Sequence, residues 1–142
     1  MFELIFEQLR LDRHARRIRQ SRVAARAGLD RATVHNGEHG RLNTLAVLID
    51  WAYALDWQLV AVTPNGVFPI NSATRLGHVL RSERRLRRLT QTRLAELTGS
   101  QPAEMSRWEQ GRREPKLATL ARWTPPLEVR FELRRLRRTD RP

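Results

Sequence analysis

The chain contains one sequence pattern twice, in register, at an offset of 71 residues. Residues 9–41 align with residues 80–112 without a gap, and 13 of the 33 positions are identical. A fixed internal period indicates repeated structural units, and this period suits one small helical domain better than a solenoid repeat. The sequence therefore predicts three segments: module one at residues 1–62, a linker at residues 63–73, and module two at residues 74–142.

The charge of the chain is strongly basic and unevenly distributed. The formal net charge is +12, of which residues 1–62 carry +2 and residues 75–142 carry +10. Neutralisation of phosphates by arginine and lysine is a main source of affinity for nucleic acid, although ribosomal and membrane-surface proteins show the same excess. Two interpretations of the asymmetry stay open. Either module two binds phosphate more strongly while module one contributes orientation or protein contacts, or the excess positive charge belongs to a solvated basic tail.

Composition also restricts the compartment and the chemistry that we expect. Cysteine is absent, no apolar run approaches the ~20 residues of a membrane span, and the N-terminus lacks a signal-peptide layout. We therefore predict a cytoplasmic, nucleoid-associated protein without a membrane partner. The histidines show no metal-ligand spacing, no glycine-rich phosphate loop occurs, and no second carboxylate or nucleophile recurs with Glu38 and Glu109. No enzyme activity, metal or cofactor is expected.

Hydrophobic spacing and helix-end signals predict three helices in the aligned part of module one. They run over about Phe2–Arg17, Gln20–Ala27 and Arg31–Gly37. Gly28 supplies the left-handed residue that ends the second helix, and Asp30 is predicted to cap the third. In module two Gly99 repeats the stop, and Pro102 after Gln101 marks the next helix start. A helix, a glycine-containing turn and a second helix form a DNA-binding motif.

The two modules differ after the aligned region, but both continue with a helix and a strand. Thr44 and Thr119 are predicted to start a fourth helix, which Pro125 and Pro126 shorten in module two. Alternating segments at 57–62 and 129–134 predict β-strands. An isolated strand leaves backbone groups unpaired, so the two strands are expected to pair in a ribbon, within one chain or between two. A hairpin through Asn65 and Gly66 is an alternative interpretation of the linker. The predicted fold class is mainly α, with two helix-turn-helix bundles in tandem that each end in a short strand.

Both modules resemble the Cro and lambda-repressor helix-turn-helix domains, also called xenobiotic-response-element-like regulators. In module two the resemblance rests on Leu80-Arg81, Arg84, Leu89-Thr90-Gln91, Leu94-Ala95, Gly99, Met105-Ser106-Arg107-Trp108-Glu109, Gly111, Pro115 and Thr119-Leu120. In module one it rests on Leu9-Arg10, Arg13, Gln20, Val23-Ala24, Gly28-Leu29, Thr33-Val34, Glu38, Gly40 and Thr44-Leu45. The terminal strand is similar to that of antitoxin-type repressors, whose two subunits join through it.

The resemblance implies that the third helix of each module lies in the major groove of DNA. It places base-reading positions at Arg31, Ala32, His35 and Asn36 in module one and at Pro102, Ala103, Ser106 and Arg107 in module two. It also implies phosphate contacts from Gln20, Gln91, His39, Arg41, Gln110, Arg112 and Arg113. Arg31 and Arg107 suit guanine, and Asn36 suits adenine. The family pattern further pairs Glu38 with Arg13 and Glu109 with Arg84 as buried ion pairs.

The sequence supports two functional hypotheses from different classes. The first is a transcriptional repressor, encoded by a phage or another mobile element, that binds a double-stranded DNA operator as a covalent pseudo-dimer. The second is an antitoxin or antiactivator that neutralises a toxin or activator through module one and its strand. The low charge of module one favours the second hypothesis, as does Gly37, which is predicted to weaken the end of the third helix where module two has Trp108.

Overall fold

The computed structural model describes residues 1–137, which form eight α-helices, one short 3₁₀ turn and three β-strands. Module one contains α1 Glu3–Ala15, α2 Gln20–Ala27, α3 Arg31–Glu38, α4 Leu45–Ala54 and β1 Trp57–Thr63. Strand β2 is Gly66–Pro69. Module two contains α5 Ala73–Leu86, α6 Gln91–Thr98, α7 Pro102–Glu109, α8 Leu117–Trp123, the turn Pro125–Leu127 and β3 Arg130–Arg135. A mainly helical fold is therefore confirmed, with a small antiparallel sheet.

Two predicted helix boundaries were wrong, and both differences have a local cause. α1 ends at Ala15 rather than Arg17, because Arg17 adopts a left-handed backbone with φ 52°, as its counterpart Arg88 does with φ 54°. α8 begins at Leu117 rather than Thr119, with Lys116 as the residue before its first turn. The loop before α8, residues 110–116, is therefore one residue longer than the loop before α4, residues 39–44.

The predicted ribbon closes within the chain. β1 pairs antiparallel with β3, and Val60 lies opposite Glu132 in that register. β1 also pairs with β2, so the sheet order is β2-β1-β3. The segment predicted as a linker therefore begins with the alternative structure, the hairpin through Asn65 and Gly66. Pairing on both sides satisfies the backbone of β1 and leaves β2 and β3 as the edges.

The buried apolar residues form one continuous cluster that includes helices and strands of both modules. Trp51 of α4 and Trp123 of α8 are its largest fully buried side chains. Phe2 at the start of module one stacks on Phe131 of β3, with 5.2 Å between ring centroids. The described residues of the two modules therefore share a core, and the division of the chain into separate domains stays a prediction. None of the helices in this part of the chain is long and apolar enough to cross a membrane.

A buried carboxylate joins the hairpin to module two. Glu83 of α5 is 1% exposed and accepts hydrogen bonds from Thr63 Oγ1 at 2.7 Å and Asn65 Nδ2 at 3.0 Å. Arg87 adds an ion pair at 2.8 Å. Burial by itself raises the pKa of Glu83, but these hydrogen bonds outweigh it, so the pKa lies below its ordinary value. The carboxylate is therefore ionised and fully partnered at neutral pH.

Candidate nucleic-acid interface

The turn between the second and third helix of each module has the same geometry. Gly28 has φ 68° and Gly99 has φ 66°, and each ends the preceding helix in the left-handed conformation. The next amide reaches back across the turn, from Leu29 to the Ala24 carbonyl and from Ser100 to the Ala95 carbonyl, both at 2.9 Å. These bonds satisfy carbonyls at the helix end and set the direction in which α3 and α7 leave.

A buried ion pair holds the far end of each third helix. In module one Arg13 Nε donates to Glu38 Oε1 at 2.7 Å, and in module two Arg84 Nη2 donates to Glu109 Oε2 at 3.1 Å. Each arginine also donates to the carbonyl five residues ahead of it, on Ile18 or Leu89. The structure confirms both predicted ion pairs. Since the glutamates are the last residues of α3 and α7, the pairs fix these helices to α1 and α5.

The predicted base-reading residues lie on the solvent side of α3 and α7. In the two helices the buried residues are Val34, Gly37, Glu38, Met105, Trp108 and Glu109. The exposed reading positions are Arg31, Ala32, Asn36, Pro102, Ala103 and Arg107, and His35 and Ser106 are partly exposed. Each helix therefore presents a short polar face on a rigid support, which is the arrangement that groove reading needs. The contacts with bases stay predictions.

The predicted phosphate contacts divide into two groups. His39, Arg41, Gln110, Arg112 and Arg113 are exposed after the ends of α3 and α7. Gln20 and Gln91 instead direct their side-chain amides inward, where Nε2 donates to Glu38 at 3.1 Å and to Glu109 at 2.8 Å. A phosphate contact from either glutamine can use its backbone amide at the helix start or the second N–H of its side-chain amide. The contacts with phosphate therefore stay predictions.

Sequence reasoning missed a cationic recess at the start of α2. Its lining residues are Arg13, Arg19, Gln20, Ser21 and Arg31. In module two Thr90 precedes α6, and its hydroxyl accepts from the Arg93 amide at 3.0 Å. Module one has exposed Arg19 at that place and no side-chain cap. Because free amides at a helix start already favour an anion, an added guanidinium makes this recess suited to a backbone phosphate. The alignment of Arg19 with Thr90 was the available signal.

One sequence interpretation of α3 needs correction, and a second stays a prediction. Asp30 occupies the position before the helix, but its side chain makes no capping bond, and its carbonyl accepts from Thr33 at 3.0 Å instead. α3 continues through Gly37 to Glu38, so the glycine does not end the helix early. A Cβ at Gly37 would lie 2.7 Å from Cζ3 of Trp51, so the glycine makes room for the indole ring. The cost of glycine in helix propensity, and with it the argument against DNA reading by module one, stays a prediction.

Residues 75–127 match a family model described as a helix-turn-helix domain. The match begins within α5, ends at the last residue of the 3₁₀ turn and covers less than half of the chain. No curated protein and no solved structure matches the chain. The match defines a helix-turn-helix domain in module two and supports a DNA-binding regulator, in agreement with the exposed face of α7 and the charge of this half. Within residues 1–137 no three His, Cys, Asp or Glu side chains lie together as a metal site.

Proposed function

We propose that the chain is a sequence-specific DNA-binding repressor of the Cro and lambda-repressor type, in which both modules are helix-turn-helix domains and act as a covalent pseudo-dimer. Module two inserts α7 and module one inserts α3 into successive major grooves on one face of the duplex. Binding over a promoter then excludes polymerase, with no ligand-sensing step and no catalysis. A phage or another mobile element is the proposed origin, and the bacterial nucleoid is the proposed location.

One observation carries the pseudo-dimer. Thr44 and Lys116, the residues before α4 and α8, pair with each other as an antiparallel bridge. Val60 and Glu132, which pair in the ribbon, are equally far along the chain from Thr44 and Lys116. Antiparallel pairing between corresponding positions requires a local two-fold axis. Symmetric members of such families bind their operators with two recognition helices related by a two-fold axis. This arrangement therefore supports two DNA-reading helices in one chain, α3 and α7, which we call the readers.

The two readers differ in their exposed residues, so the proposed operator is asymmetric. Module one presents Arg31, His35 and Asn36, whereas module two presents Ser106 and Arg107. We expect two unlike half-sites about one helical turn apart, roughly 10 base pairs. Footprinting of the region upstream of the gene, followed by mass measurement of the complex, tests this. One chain per site and protection of both half-sites is the expected result. A palindromic footprint contacted by module two alone contradicts the pseudo-dimer.

Substitutions in module two separate base reading from phosphate contact. We expect Arg107→Ala to weaken operator binding by about 1–3 kcal/mol and to relax the preference at one base pair. Arg113→Ala is the matched control: an exposed arginine is also removed, but we expect it to weaken operator and random DNA alike. The measurement is a titration of both variants against the operator and its single-base changes at one salt concentration. If neither variant changes operator affinity, α7 is not the reading helix.

The antitoxin or antiactivator function remains a second candidate because of one surface. Leu4 and Leu11 of α1 are 82% and 53% exposed, and their spacing places them on one face of the helix. Together with the low net charge of module one, an exposed apolar face suits contact with a protein. Copurification of the protein encoded by a neighbouring gene, abolished by Leu4→Glu with DNA affinity unchanged, favours this candidate. Loss of DNA binding in Arg31→Ala favours the repressor.

A further inference from the structure

The loops that follow α3 and α7 are joined by reciprocal hydrogen bonds. The Glu114 carboxylate of module two accepts from the Ala46 amide in the first turn of α4 at 2.5 Å. The Asn43 side chain of module one accepts from the Ala118 amide in the first turn of α8 at 2.9 Å. The Leu117 amide adds a bond to the Asn43 carbonyl at 3.3 Å. We call the set Asn43, Thr44, Glu114 and Lys116 the interloop clamp.

Neither α4 nor α8 is capped by its own preceding residue. Thr44 precedes α4 without a side-chain capping bond. Lys116 precedes α8, and its side chain has no hydrogen-bond acceptor. First-turn amides of a helix lack partners within the helix, and a side-chain oxygen that accepts from one of them stabilises it. In this chain each helix obtains that oxygen from the other module. The negative charge of Glu114 at the start of α4 also interacts favourably with the helix dipole.

The clamp lies a few residues from both readers. α3 ends at Glu38 and Asn43 follows after a short loop, while α7 ends at Glu109 and Glu114 follows after a loop of equal length. The buried ion pairs hold the near end of each loop, and the clamp holds the far end. Beyond the other end of α4 the ribbon of β1 and β3 also joins the modules, and the shared apolar core packs them together. Of these connections the clamp is the one that lies nearest to α3 and α7 along the chain, and it restricts rotation of one relative to the other.

We propose that Asn43 and Glu114 are specificity-determining positioning residues: by holding the two loops together they set the separation of α3 and α7, and so the spacing between half-sites that the chain accepts. The inference rests on the proposed function, since it requires both modules to read DNA. One extra base pair between half-sites moves the second by about 3.4 Å and rotates it by roughly 35°. Readers held by the clamp cannot follow that change. Without the two side-chain bonds of Asn43 and Glu114, α3 and α7 are held through the ribbon, the shared core and the Thr44–Lys116 bridge, which leaves them freer to adjust.

The test compares the complete chain with the double variant Asn43→Ala, Glu114→Ala on one series of operators. The series carries the footprinted half-sites at their natural spacing and with one or two base pairs added or removed. We expect the wild-type chain to lose about tenfold or more in affinity for each altered spacing, as when contacts with several bases are lost. We expect the double variant to bind all spacings within a few-fold of one another.

Two controls separate positioning from folding. Ser72→Ala removes a cap of the same kind from the start of α5, where Ser72 Oγ accepts from the Arg75 amide at 3.1 Å, and it should keep the wild-type spacing profile. The conservative pair Asn43→Asp, Glu114→Gln retains both accepting oxygens and should keep it as well. A double variant that is folded by circular dichroism and shows the wild-type spacing profile overturns the inference. Absence of two protected half-sites in the wild-type footprint overturns the proposed function instead.

Discussion

Replacement of Glu109 by alanine is expected to destabilise the chain by about 3–5 kcal/mol, because it leaves the Arg84 guanidinium buried without its counter-ion. Glu109 is 3% exposed, and it accepts from two donors of Arg84 and from Gln91. All three donors lose their acceptor in the variant. Typical domains are stable by 5–15 kcal/mol, so this single change removes a large part of the total. Urea unfolding at pH 7 measures the effect.

The control for Glu109→Ala is Glu96→Ala on the neighbouring helix α6. Glu96 pairs with Arg93 at 3.1 Å, but both side chains are about 60% exposed, so solvent screens the pair and its loss should cost well under 1 kcal/mol. Glu38→Ala repeats the buried change in module one and should approach the value for Glu109. Equal midpoints for the Glu96 and Glu109 variants would mean that burial does not protect the Arg84–Glu109 pair from water.

The repeat made the helix positions predictable, because residues with a strict local requirement recur in it. Gly28 and Gly99 stop helices by a left-handed backbone, and no larger residue does so without strain. The ion pair Arg84–Glu109 was predictable from the resemblance, since its residue types and spacing belong to the family pattern. The resemblance also placed Arg107 among the base-reading positions, and the structure shows it exposed on α7.

The interloop clamp was not predictable, because it depends on where one module lies against the other. The residues next to Asn43 and Glu114 in the sequence do not indicate a contact between the modules. The sequence alignment also placed Thr44 opposite Thr119 rather than Lys116. Arg19 was overlooked for a different reason. It differs from its counterpart Thr90, so it lies outside the identical positions on which the repeat was recognised. Differences between the modules are nevertheless what can give α3 and α7 separate roles.

The packing role of Gly37 was not predictable, because helix propensity is a local property whereas the position of Trp51 depends on the fold. Trp51 of α4 is 1% exposed and lies against Gly37, and Phe6 of α1 stacks on it with 6.1 Å between ring centroids. In module two the large and the small residue exchange places: Gly77 corresponds to Phe6, and Trp108 corresponds to Gly37. There the backbone carbonyl of Trp108 would lie 2.4 Å from a Cβ at Gly77. Each module therefore fills the same region of its core with aromatic side chains from different helices.

We expect Trp51→Ala to cost about 3–5 kcal/mol, as is usual for loss of a buried tryptophan. Gly37→Ala should cost about 1–3 kcal/mol in the wild-type chain, because the added methyl group overpacks the core against the indole ring. The effect of Gly37→Ala on stability should change sign when the indole ring of Trp51 is replaced by a smaller side chain. In a Trp51→Leu background the methyl group has room, so Gly37→Ala should be neutral or stabilising by up to about 1 kcal/mol through helix propensity.

A double-mutant cycle of Gly37→Ala and Trp51→Leu, measured by urea unfolding, isolates this coupling. Ala32→Gly is the control in the same helix, since Ala32 is exposed and its replacement acts through backbone propensity alone. Its cost, about 1 kcal/mol, should be equal in the wild-type and Trp51→Leu chains. A coupling below about 0.5 kcal/mol between Gly37 and Trp51 contradicts the packing account.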